Sequence, residues 1–208
     1  MDRVELTIAD VERLIEWRGL HPAEVRSHPA PLKAVEIHIK ENGWCIKGVR
    51  EGDKLRLYLS KNRARMGHCE FVRRADGMWV SVKNKMDVDR DGLQSVLTVY
   101  CSLMALMAFG HAEEREWPAE AQETATKKPT QGHKTRKPKR TTYILRQENG
   151  ALVAAPRGSH ASPAGIFSVR GHFRHYKSGR VVWIAEYKKG TGKRKAKTYK
   201  MGGGTDGQ

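Results

Sequence analysis

The chain has 208 residues, 38% of them apolar, and a formal net charge of +16. Its length allows one medium domain or two small ones, and the low apolar fraction argues against a single large core. No run of about 18 apolar residues occurs, and the opening MDRVELTIAD lacks a secretory pattern, so a soluble cytoplasmic protein without a membrane partner is expected.

The charge is unevenly placed. Residues 1–110 carry 18 Lys and Arg against 15 Asp and Glu, an ordinary mixed balance. Residues 111–126 are acidic, with 1 against 5, whereas residues 127–140 carry 7 against none and residues 141–208 carry 13 against 3. A mixed first half joined to a cationic second half points to nucleic acid, with an acidic protein surface as the competing partner. Cys45, Cys69 and Cys101 are scattered and show no CxxC spacing, which argues against a disulfide framework or a structural zinc site and for buried free thiols.

In chain order, Thr7-Ile8-Ala9-Asp10 has the form of a capping box. Val11, Leu14, Ile15 and Trp17 follow at helical spacing until Gly19. Pro22 suits the first position of a short second helix. From Lys33 the period changes to two. Val35, Ile37 and Ile39 alternate with polar residues, Glu41-Asn42-Gly43 turns the chain, and Trp44 to Val49 returns it. Glu51-Gly52-Asp53 leads into Leu55, Leu57 and Leu59. His68 to Ala75 and Met78 to Lys83 then flank the hairpin signal Asp76-Gly77. These segments predict an antiparallel meander of about five strands, one face apolar and the other polar.

Leu93, Val96, Leu97, Tyr100, Leu103, Met104 and Met107 recur at helical spacing, with a cap near Asp91 and an end at Gly110. No charge interrupts residues 95–109, so more than one face of this helix must be covered. It either lies across the sheet, completing an α+β core, or pairs two copies of the chain with Met104 and Met107 as adaptable contacts. Lys127 to Arg140 cannot bury enough apolar surface to order itself and reads as a basic linker that contacts phosphates. Beyond it, Thr141 to Arg146 is a strand candidate that Glu148-Asn149-Gly150 turns into Ala151 to Ala155, and Gly165 to Val169 leads into the segment that follows. Pro156 to Pro163 is a loop, and residues 202–208 form a glycine-rich tail.

The densest chemistry lies in Ser168 to Gly190, SVRGHFRHYKSGRVVWIAEYKKG. Lys177-Ser178-Gly179-Arg180 supplies a turn, so the segment predicts a β-hairpin. Strand alternation places Arg170, His172, Arg174 and Tyr176 on one face and Phe173, His175 and Lys177 on the other. Cations interleaved with aromatic rings suit phosphates and stacked bases. The candidate nucleic-acid-binding set is Arg170, His172, Arg174, Tyr176, Lys177, Arg180, Trp183, Lys188, Lys189, Lys193, Arg194 and Lys195. Tyr176 and Trp183 are its stacking members. His172 and His175 lie on opposite faces of a strand with no carboxylate before Glu186, so no metal site is expected. A histidine beside arginines could also move a proton near neutral pH, the equipment of a metal-free ribonuclease.

The run VRGHFRHYKSGRVVWIAEYKKG (Val169 to Gly190) resembles a segment of uncharacterised proteins encoded by phages, prophages and related mobile elements of Gram-positive bacteria. The pattern is RGH, an aromatic, RHYKSG, apolar residues, an aromatic, a tyrosine and a basic residue with glycine. Arg170 to Gly179, Trp183, Tyr187, Lys189 and Gly190 fit it, whereas Ala185-Glu186 stands where Lys-Pro is usual. The match covers about a tenth of the chain. It implies a mobile-element origin and carries no activity with it.

The resulting expectation is an α+β protein. It comprises an N-terminal domain (1–110) whose antiparallel meander packs with helices, an acidic-then-basic linker (111–140), and a small basic antiparallel β-module (141–201). The function expected is non-enzymatic binding of DNA or RNA through its phosphate backbone in a bacterial host cell, with no cofactor and no metal. The alternatives are an anti-CRISPR-type antagonist that contacts a host defence nuclease directly, and the ribonuclease using His172 or His175.

Overall fold

The computed structural model describes residues 1–109, 112–113, 142–145, 165–192 and 196–201. The strand expected over 151–155, the loop 156–163, nearly all of the linker and the tail lie outside them. The fold is α+β, dominated by an antiparallel sheet. Strand β1 (Asp2–Leu6) leads into α1 (Ile8–Leu20) and the short α2 (Pro22–Ser27), then β2 (Ala34–Ile39), β3 (Trp44–Glu51), β4 (Lys54–Lys61), β5 (Ala64–Arg73) and β6 (Trp79–Met86). Helix α3 (Arg90–Phe109) follows, then β7 (Ala112–Glu113), β8 (Thr142–Leu145), β9 (Phe167–Val169), β10 (His172–His175), β11 (Val181–Ile184), β12 (Tyr187–Lys189) and β13 (Thr198–Met201).

Strands β2 to β6 form the expected five-stranded meander. The main sheet is larger than that, with order β6-β5-β4-β3-β2-β1-β13-β8-β7. Strand β1 runs parallel to β2, a pairing that needs a crossover, and α1 with α2 provides it. Strand β13 lies parallel to β1 on its other side, with Val4 opposite Tyr199, so the C-terminal strand is hydrogen-bonded into the sheet that begins at Asp2. The Lys197 amide donates to the Asp2 carboxylate at 3.2 Å at this junction. Burial pushes the Asp2 carboxyl above the usual carboxylate range, against the pull of the Lys197 amide and charge.

Local chemistry explains the elements. Thr7 and Asp10 form the capping box, the Asp10 amide donating to Thr7 Oγ1 at 3.1 Å and the Thr7 amide to Asp10 Oδ2 at 2.8 Å. Asp89 caps α3, accepting from the Gly92 amide at 2.7 Å. Gly77, at φ +82°, closes the β5–β6 loop as its Asp-Gly signal demands. The β4–β5 turn is less obvious in the sequence, because Asn62 (φ 50°) and Arg63 (φ 71°) both adopt the left-handed region without glycine.

One face of the sheet is apolar and is covered by α1 and α3. Leu14 and Trp17 from α1, and Tyr100, Leu103, Met104 and Met107 from α3, pack on Val4, Leu6, Ile37, Ile46, Leu57 and Phe71. Each such side chain contributes on the order of 1.5–3 kcal/mol of transfer free energy. Gly48 lets α3 approach closely, since a Cβ there would meet the Tyr100 ring at 2.2 Å. Ile15, grouped with the apolar stripe in sequence, is instead 49% exposed on the outer side of α1. Among the described residues α3 is the one helix long and apolar enough to span a membrane, yet most of it is buried in the core. Met104 and Met107, considered as contacts for a second copy, are fully buried within this chain.

Candidate nucleic-acid interface

Residues 165–192 form one long hairpin with an interrupted ladder. Strands β9 and β12 pair at its base, with Val169 opposite Tyr187, and β10 and β11 pair at its tip, with Phe173 opposite Trp183. The loop closes through Gly179, whose amide donates to Tyr176 O at 2.9 Å with φ at +79°. At the interruption the hairpin turns its hydrogen bonds outward. The Gly171 amide donates to Pro31 O at 2.7 Å, and Glu186 Oε2 accepts from the Lys33 amide at 2.7 Å.

The two faces of the tip differ as strand alternation requires. Phe173 stacks on Phe109 at the end of α3, and Trp183 meets Phe173 edge-on at 4.9 Å between centroids. Trp183 also covers Gly171, where a Cβ would lie 2.4 Å from its ring. The indole is therefore half-buried in the docking contact, on the face opposite Arg174. Arg170 is half-buried too, and its guanidinium donates to the Met107 carbonyl in the last turn of α3. A cation there complements the partial negative charge of a helix C-terminus. His172 takes part in a 3.1 Å hydrogen bond between its Nδ1 and Arg170 O, while His175 lies exposed on the other face.

The remaining expected residues that the structure describes are exposed. Arg174 lies over the Tyr176 ring at 5.1 Å, Tyr176 is 42% exposed, and Lys177 and Arg180 flank Gly179 in the turn. Lys188 and Lys189 are exposed on β12. None of Arg174, Lys177, Arg180, Lys188 and Lys189 forms an ion pair among the described residues. Glu186, the one carboxylate of the hairpin, is turned toward the Lys33 amide. Lys193, Arg194 and Lys195 lie outside the described residues. Among the described residues, no group of three or more His, Cys, Asp and Glu side chains is arranged to hold a metal ion.

A second cationic surface escaped the sequence reading. On the face of the main sheet opposite α3, register brings Lys47, Arg56, Tyr58, His68, Lys83 and Lys85 together. Each is an ordinary solvent-side residue of its own strand, and only the pairing of four strands makes them neighbours. No protein-family model, curated protein or solved structure matches the chain.

Proposed function

We propose that this protein binds nucleic acid without catalysis, chiefly through the phosphate backbone, and that it serves a phage or related mobile element in a bacterial host. The observation that carries the reading is the group Arg174, Lys177 and Arg180 beside Tyr176, exposed and without an ion pair among the described residues. Exposed cations without an ion pair among the described residues suit phosphates, and an exposed tyrosine adds a ring on which a base can stack. The overall charge of +16 strengthens the long-range attraction to a polyanion. The mobile-element origin is supported by the Val169–Gly190 resemblance alone. Fluorescence anisotropy with labelled DNA and RNA in the presence of chelator tests the reading. Binding should weaken steeply between about 50 and 200 mM salt, with the probe left intact.

A second reading, direct contact with a host defence nuclease, is favoured by an apolar groove. A cavity of about 530 Å³ lies between α1, α2, α3 and the β5–β6 loop, and Ile15, Met78 and Leu97 line it. Met78 is 51% exposed. Under this reading one host protein co-purifies with the chain after thorough nuclease treatment, and Met78→Glu abolishes that capture.

A further inference from the structure

The main sheet has helices on one face only. No described element packs on the other, and the ladder assembles a row across it. Arg3, Glu36, Lys47, Tyr58, His68 and Lys85 stand opposite one another in successive strands from β1 to β6. At about 4.8 Å per strand the row is about 24 Å long.

The centre of this row is aromatic. The Tyr58 and His68 rings lie side by side, their centroids 5.7 Å apart and their planes inclined by 35°. Lys47 Nζ is 5.7 Å from the Tyr58 centroid, and Arg56 donates to the Tyr58 hydroxyl at 3.5 Å. In the next row Glu70 faces cations on both sides, 3.2 Å from Arg56 and 3.9 Å from Lys83, with His68 at 3.8 Å. One carboxylate cannot neutralise this neighbourhood. Around the rings cations outnumber carboxylates, with Lys47, Arg56, Lys83 and Lys85 against Glu36 and Glu70.

Cations alone would suit any polyanion. Two adjacent rings in the middle of an open, positively charged sheet suit one whose bases are free to stack, because the bases of a duplex are already stacked on each other. We propose that single-stranded nucleic acid lies across this face, with bases on Tyr58 and His68 and phosphates on Lys47, Arg56, Lys83 and Lys85. The inference rests on the nucleic-acid reading above but uses a surface separate from the hairpin.

The test uses the full chain, a fluorescein-labelled 20-nucleotide oligo(dT) and a labelled 20-base-pair duplex, read by anisotropy. Losing one stacked base costs roughly fivefold or more in affinity. Tyr58→Ala combined with His68→Ala should therefore weaken the single strand about ten- to a hundredfold and leave the duplex within about twofold. Tyr58→Phe with His68→Phe keeps the rings and should retain most of the affinity, which separates stacking from misfolding. Glu70→Gln should tighten the single strand by severalfold. Equal losses on both probes, or an unchanged single-strand affinity in the Ala pair, overturn the platform. If the wild type binds neither probe, the nucleic-acid reading itself falls. If it binds and only Arg174→Ala with Lys177→Ala and Arg180→Ala weakens it, the platform alone falls.

Discussion

Phe173 of the hairpin lies stacked on Phe109 at the end of α3, with ring centroids 5.3 Å apart and planes inclined by 25°. This contact, with the Gly171 and Glu186 hydrogen bonds to residues 31 and 33, fixes the hairpin against the N-terminal core. Both rings are half-buried, so truncation should cost less than the 3–5 kcal/mol of a fully buried phenylalanine. Phe173→Ala should lower the unfolding free energy by about 2 kcal/mol, and a double-mutant cycle with Phe109→Ala should give a coupling of about 1 kcal/mol. Urea denaturation followed by tryptophan fluorescence measures both. A coupling near zero would mean that the hairpin is held by its backbone bonds alone.

Gly171 is required by packing. A methyl group there would lie 2.4 Å from Trp183 Cζ2, inside any tolerable contact. Gly171→Ala must push the indole off Phe173, at a cost of about 1–3 kcal/mol. Limited proteolysis should then cut within residues 172–184 faster than in the wild type. Unchanged cleavage would show that Trp183 can move freely.

Acidification should destabilise the fold through His28. Burial, followed by the charges of Arg50 and Arg73, lowers its pKa from 6.5 to about 4, against the opposing pull of the Val25 carbonyl. Its Nδ1 lies 2.7 Å from that carbonyl, and Nε2 is buried without a partner among the described residues. The unfolded chain binds this proton at higher pH than the folded one. Stability is therefore full above about pH 6.5 and is lost as the pH falls toward 4, by about 3 kcal/mol in all. The raised Asp2 carboxyl has the opposite sign and offsets part of the loss at the acid end. Thermal midpoints at pH 7.5, 6 and 4.5 should fall in that order, and His28→Phe should flatten the trend. A wild-type midpoint that does not drop would rule out a buried neutral His28.

Cys101 provides a chemical reading of the core. Burial pushes its thiol up to about 12, against the pull of Arg50, Arg18 and Arg73. Cys45 is half-buried at the end of the open face, and its thiol is raised by burial and then by Glu36. Native labelling with iodoacetamide at pH 8 should modify Cys45 first, and Cys101, which is almost fully buried at the wall of the groove between α1 and α3, far more slowly. Equal labelling of the two in mass spectrometry would contradict the packing of α3.

Much of the fold could be read from short-range signals. The Thr7/Asp10 capping box, the Glu41-Asn42-Gly43 and Asp76-Gly77 turns, and the apolar spacing of α3 each act within a few residues, and each element formed where they indicated. Long-range pairing left no such trace. Nothing local in Thr198–Met201 says that it lies parallel to Asp2–Leu6, and the Asn62-Arg63 turn uses left-handed backbone without glycine. Side-chain chemistry was legible only in kind. Arg170 and Arg174 look alike in the sequence, yet the first binds the end of α3 and the second stands over Tyr176 at the surface. The Tyr58–His68 pair was invisible because register, not spacing, makes it.

The most direct test of the account is a titration of labelled single- and double-stranded DNA and RNA at about 50 and 200 mM salt, comparing the wild type with Arg174→Ala, Lys177→Ala and Arg180→Ala combined. Each phosphate contact contributes about 0.9 to the log–log salt slope on duplex DNA and about 0.7 on single strands. Backbone binding through the hairpin predicts tight, salt-sensitive binding of intact probe by the wild type, and a triple variant whose slope is smaller by about two to three units. Arg170→Ala should destabilise the fold yet leave that slope nearly unchanged. Absent wild-type binding, cleaved RNA, or a triple variant with the wild-type affinity and slope would contradict it.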